Sequence, residues 1–253
     1  MSELLSFLST FTFEEKLYIA VIIAFVPITL LGIFASVSVS RTFRKYSSEP
    51  TACGVRAAEA ARDMLDGNGL TNVAIHRVEG ELTDHFDPRT QTISLSNSVY
   101  PSSSIGAVGV ACHEAGHAVQ HARGFVFSRV RLALVPVVNI ANRTLMPLMI
   151  IGMLLGFLSI ATSVGLIFVV CGLVLFGMST LFALVTLPTE FDASRRALNA
   201  IASSGNYTKR ELSGAKKVLR AAALTYVAAF LMSLLQFLRF LLIILMSFSR
   251  RRN

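Results

Sequence analysis

The sequence predicts a mainly α-helical membrane protein: a small α+β domain with a little antiparallel sheet, carried on three to four transmembrane helices. Three observations predict it. The 253 residues are 53% apolar and only 15% charged, against roughly 45–50% and 25% in an ordinary globular domain. The apolar residues gather in long runs almost without charge, near the ~20 residues that span a bilayer. Between the first two of those runs, residues 41–144 alternate helical and strand-like patterns in the manner of a soluble domain.

Taken in order, the run at 17–40 has no charged residue and forms the N-terminal transmembrane helix, residues 1–40. It follows the acidic "FTFEEK" instead of a basic start, so it reads as a retained helix and not as a cleaved signal. The region 41–144 opens on the basic "RTFRKY" (41–46). "TACGVRAAEAARDMLDGNG" (51–69) is a helix closed by a Gly-Asn-Gly stop. Residues 73–96 alternate around Gly80 and the turn signal Asp87-Pro88, which predicts a small antiparallel sheet. Serine caps at 101–104 start a helix over 105–122, and Gly124 stops it. Apolar runs at 145–162 and 164–187, joined at Thr162 and Ser163, predict a transmembrane hairpin over 145–187. A second polar region, 188–220, starts a helix at Pro188 and Thr189 and breaks at "ASSGN" (202–206). Residues 221–253 form a C-terminal membrane helix with the basic tail "RRR".

Lys and Arg number 23 against 15 Asp and Glu, a formal charge of +8. The basic residues cluster beside apolar runs and no nucleic-acid module accompanies them, so the expected partner is the lipid bilayer and not nucleic acid. Cys53, Cys112 and Cys171 are an odd, scattered set without a CxxC pair, which argues against a disulfide framework.

The chemistry lies in "ACHEAGHAVQH" (111–121), where His113-Glu114-Ala115-Gly116-His117 matches H-E-x-x-H. Residues four apart share a helix face, so His113 and His117 can meet one Zn²⁺ while Glu114 projects beside them as catalytic base. Zinc held this way lowers the pKa of its water towards about 7, which points to a hydrolase. The competing reading, a histidine-rich core helix, would bury the Glu114 charge unpaired at considerable cost. A catalytic zinc takes a third protein ligand. Cys112 lies about 100° round the helix from His113. His121 reads as a surface imidazole, and His76 and His85 lie in the sheet region. Glu190 in "TEFDASRRA" returns on a second helix and is the preferred third ligand, with Asp192 as its rival.

"ACHEAGHAVQHARGF", "LPTEFDASRRAL", "ALTYVAA" (223–229) and "DHFDPRTQTISLS" (84–96) together resemble the YugP-type membrane zinc metallopeptidases, neutral zinc metallopeptidase family 2. The resemblance covers most of the chain. It implies a zincin-like fold and a membrane-embedded zinc endopeptidase, distantly similar to the HtpX and CAAX-prenyl-protease class. It also implies His113, His117 and Glu190 as ligands and Glu114 as catalytic residue. HtpX-like and thermolysin-like proteins tend to place an Asp four residues after the ligand Glu, whereas here that position is Ser194. Asp192, Ser194 and Arg195 are therefore the candidates for orienting a ligand histidine, and His121, His85 and Arg195 for stabilising the oxyanion. The implied substrate is a protein or peptide in or near the membrane, added in extended form to an edge strand within 81–96. The basic clusters at 41–46, 195–196 and 216–217 place the catalytic region on the cytoplasmic side of the cell membrane. The tail "RRR" fits that orientation if the last run bends back, which Gln236 and Arg239 would permit; otherwise the charge rule is broken at this end. Two other readings, an inactive metal-dependent scaffold and a transporter subunit, are disfavoured by the intact Glu114 and by the few charges inside the apolar runs.

Overall fold

The computed structural model describes residues 12–81, 83–157 and 162–252. In chain order these form α1 (Phe13–Ser47), α2 (Ala57–Asp66), β1 (Ala74–Val78), β2 (His85–Asp87), β3 (Thr92–Ser96), α3 (Ile105–Ala122), α4 (Val126–Phe157), α5 (Thr162–Ser203) and α6 (Lys209–Arg252). They divide into two compact units, one of Phe34–Leu132 with Val185–Tyr226, the other of Met1–Ile33, Ala133–Leu184 and Val227–Asn253.

The first unit holds the α+β domain. Glu59 accepts the Arg56 N–H at 3.1 Å and starts α2, whose Ala57, Ala61 and Leu65 are fully buried. Gly69, at φ 76°, takes the left-handed turn that ends it. The sheet has the order β1-β3-β2. Asp87 Oδ1 accepts the Arg89 N–H at 2.8 Å, and the turn so made returns β3 antiparallel to β2, with Phe86 opposite Ile93. β1 pairs parallel with β3, Ala74 opposite Thr92, so the sheet is mixed and not antiparallel as expected. The reason is that β3, with its buried Ile93 and Leu95, takes the central place in the sheet, so β1 and β2 lie on its opposite sides. Ser104 Oγ accepts the Ala107 N–H at 3.3 Å and caps α3. α3 runs through the core with Ala107, Val108, Ala111 and Ala115 fully buried, so it is a domain helix.

Among the described residues α1, α5 and α6 are long and apolar enough to cross a membrane, and a fourth span is reached only by counting α3 with the start of α4. α1 has 35 residues, about 52 Å at 1.5 Å per residue, against a hydrocarbon core of about 30 Å. Its Ile23, Val26, Leu30 and Ile33 are exposed apolar side chains, as lipid contact requires. In the second unit Val21, Leu235 and Leu242 form a small core, and Thr180 meets the Ser233 hydroxyl at 2.8 Å.

Two expectations shift. Pro188 does not start a helix but lies inside α5, where long apolar helices tolerate proline. The Thr189 hydroxyl donates to the Val185 carbonyl there, at 3.1 Å. α6 continues unbroken to Arg252, so the last run does not bend back, and Gln236 and Arg239 each bury a polar atom within the protein. Thr162 and Ser163 begin α5, and the rest of the expected hairpin joint lies outside the described residues.

Candidate metal centre

The centre begins with a close approach of two helices. A Cβ on Gly116 would stand 2.7 Å from the Ala193 carbonyl oxygen, so only glycine lets the α5 backbone rest on α3 here. That contact sits one residue before His117 and three after Glu190. It brings the carboxylate of one helix to the imidazoles of the other.

His113, His117 and Glu190 present ligand atoms that all lie within 4.8 Å of one another. Glu190 Oε2 is 3.2 Å from His113 Nε2 and 3.7 Å from His117 Nε2. A tetrahedral zinc with bonds of about 2.0–2.1 Å holds its ligand atoms roughly 3.3–3.4 Å apart, so this spacing suits it. Glu190 is 2% exposed, and its other oxygen accepts from Arg131 Nη1 at 3.0 Å. Arg131 therefore pins one oxygen of the buried carboxylate and leaves the second for the histidines. The Tyr226 side chain faces the same carboxylate from α6.

The outer nitrogens of the histidines are also held. Gln120, fully buried, donates through Nε2 to the Thr189 carbonyl at 2.8 Å and to Asp192 Oδ2 at 3.0 Å. With both donations fixed on its nitrogen side, its oxygen must accept from His117 Nδ1, 3.0 Å away. In the neutral ring the proton then resides on Nδ1, which leaves the Nε2 lone pair for a metal. His113 Nδ1 meets the Ser194 hydroxyl at 3.2 Å. Asp192 is itself held by Arg195 and by Arg196 Nε at 2.6 Å. Burial alone would depress the His117 pKa, but its hydrogen bond to Glu190 and the charges of Glu114 and Glu190 reverse this and raise it.

Glu114 is 9% exposed. Its charge bears on Asp84, whose pKa burial raises despite hydrogen bonds from the Ser96 N–H at 2.7 Å and the Ser96 hydroxyl at 3.1 Å. Cys112 faces the other side of α3, into a cavity with Ala60, Met64 and Tyr207, and burial pushes its thiol up to about 12.

Of the remaining sequence candidates, Ser194 touches His113 directly, while Asp192 holds Gln120, the partner of His117, and does not join the donor cluster. The others stand apart from it. His121 lies beside the Phe86 ring, centroids 6.0 Å apart. His85 is exposed, with Nδ1 on the Thr83 carbonyl at 2.8 Å. Arg195 is 72% exposed and turned to Asp192. Arg131, Gln120 and Tyr226 escaped the sequence reading. Gln120 carried a signal, since it stands three residues after His117 on an otherwise apolar face, and Tyr226 lies in the "ALTYVAA" stretch. Arg131, on a separate helix, carried none.

The family described as "Putative neutral zinc metallopeptidase" matches residues 21–245. The chain is 44% identical over 223 residues to the "Putative membrane protease YugP" of Bacillus subtilis (strain 168), which covers 87% of this chain and 96% of that protein. No solved structure matches it. With apolar helices long enough to span a bilayer and a cluster of three side chains that could hold a metal ion, this chain belongs to the neutral zinc metallopeptidase family, as a membrane protein of that family.

Proposed function

We propose that the protein is a zinc-dependent membrane endopeptidase in which His113, His117 and Glu190 hold the metal and Glu114 acts as general base and acid. The observation that carries this reading is the shared direction of three donors: two imidazole Nε2 atoms and one carboxylate oxygen meet across 3.2 and 3.7 Å. When bound, zinc supplies Lewis acidity that polarises a peptide carbonyl and lowers the pKa of a coordinated water to about 7. Glu114 follows His113 directly, takes the proton of the attacking water and returns it to the amine nitrogen as the C–N bond breaks. Gln120 keeps the neutral His117 imidazole in the tautomer that binds, and Ser194 holds the His113 ring in place at its Nδ1. Arg131 compensates the buried Glu190 charge.

The substrate reading is a membrane or membrane-proximal protein, because α5 carries Glu190 and is one of the candidate spans. Among the described residues β2 pairs with β3 alone, and its Phe86 lies beside His121, one turn beyond His117. An extended substrate segment pairing with that free edge would pass close to the centre. The catalytic region faces the cytoplasm on this reading, beside the basic clusters.

Metal content and cleavage of an unfolded protein, measured together on detergent-purified samples, test the assignment. Wild type is expected to hold near one zinc per chain. Glu190→Ala should lose the metal. Glu114→Gln should keep it while cleavage falls by roughly 10²–10⁴-fold. Full zinc retention in Glu190→Ala, or undiminished cleavage by Glu114→Gln, would refute it.

A further inference from the structure

A second cluster of charge lies away from the metal centre, where α1 leaves its apolar stretch and α6 enters its own. A groove of about 500 Å³ there is lined by Arg41 and Lys45 from α1 and by Lys217 and Arg220 from α6, with the Ser38 and Thr42 hydroxyls between them. Among the described residues no acidic side chain lines it. None of the four cations has an ion-pair partner among the described residues. The convergence is built into the packing. A Cβ on Gly214 would stand 2.9 Å from two carbons of the Tyr46 ring, so the glycine lets α1 and α6 close up at this level. Arg41 and Lys45 are one turn apart on α1, and Lys217, Arg220 and Leu224 share a face of α6.

Four like charges brought together repel unless an anion joins them. The setting identifies the anion. Phe34 and Val37, exposed apolar side chains, directly precede the groove on α1, which puts its lower rim at the edge of the hydrocarbon. Ala221 and Leu224 form an apolar wall where α6 starts its apolar run. A ligand that fits both parts is anionic at one end and apolar at the other. We propose that this groove is a discrete binding site for an anionic phospholipid, with the head-group phosphate among Arg41, Lys45, Lys217 and Arg220 and the glycerol and first acyl carbons against Leu224. This goes beyond the general attraction of basic clusters to an anionic surface, and it is independent of the metal centre.

The full-length protein in neutral detergent provides the test, with bound lipid counted by native mass spectrometry and affinity taken from titration. Wild type is expected to retain one phosphatidylglycerol per chain under conditions that strip phosphatidylcholine. Arg41→Gln with Lys217→Gln should weaken retention about thirtyfold, from roughly 1 kcal/mol for each cation beside an anionic lipid. Arg44→Gln with Lys216→Gln removes the same charge from the same two sequence clusters but outside the groove, and should weaken it less than about threefold. Unchanged melting in phosphatidylcholine checks that both variants are folded. Equal loss in the two double variants would reduce the effect to diffuse charge and overturn the site. Displacement of the lipid by millimolar inorganic phosphate, or equal retention of phosphatidylcholine, would overturn the assignment to an anionic lipid.

Discussion

Glu190 divides its two oxygens between a guanidinium and a pair of imidazoles, and that division sets the metal affinity expected of the centre. Arg131→Ala would leave a carboxylate that is 2% exposed without its cation. Zinc affinity is then expected to fall by roughly 10–100-fold, as for other partners of metal ligands. Arg131→Lys, which keeps the charge but not the planar donor geometry, should recover part of it, and competition with a chelator would measure both. The protonation of His117 works in the same direction. Its pKa is raised above 6.5 in the metal-free protein, chiefly by the Glu190 hydrogen bond acting against burial. The stability this gives the metal-free fold is present below 6.5 and is lost as pH rises through the raised value. Zinc must displace that proton, so its affinity should fall ~10-fold per pH unit below the His117 pKa. A pH-independent zinc affinity between 5 and 8 would contradict it. At this scale the sequence was legible for the meeting of His113 and His117, because the H-E-x-x-H spacing puts both on one helix face by helical repeat alone, and Glu190, its preferred third candidate, joins them. Arg131 was not, because nothing local distinguishes it from any arginine flanking an apolar run.

Between elements, the decisive contact is Gly116 against the Ala193 carbonyl. Gly116→Ala should force α3 and α5 apart, costing about 1–3 kcal/mol and lowering zinc affinity through displacement of Glu190. Gly109→Ala is the control, since its Cβ would meet Ala215 at an ordinary 3.6 Å. Thermal melts with and without zinc would separate the two. The free edge of β2 carries a second expectation. Peptide substrates N-methylated at alternate backbone positions should be cleaved several-fold more slowly, while side-chain changes at the same positions matter less. Local pattern located the helices because amphipathic repeats and caps are encoded residue by residue. It missed the parallel pairing of β1 with β3, since which strand takes the centre of a sheet depends on the burial of Ile93 and Leu95 under other elements.

For the whole molecule, the orientation proposed from the basic clusters has a direct readout. Cys53 is exposed and free in the α+β domain. In a Cys171→Ala background, a membrane-impermeant maleimide should label Cys53 in inside-out vesicles and not in intact cells; the reverse pattern would place the centre outside. The sequence by itself determined the membrane character, the helical content and the placing of two histidines on one helix face with a glutamate beside them. Each of these follows from hydropathy or from a spacing of a few residues. Between Glu190 and Asp192 it left a choice. Only the tertiary structure decided how Glu190 is oriented, that Gln120 fixes the tautomer of His117, and that cations from residues 41–45 and 217–220 line one groove. These depend on helices far apart in sequence approaching within a few ångströms. Glycines at 116 and 214 permit that approach, but their partners are known only once the chain is folded.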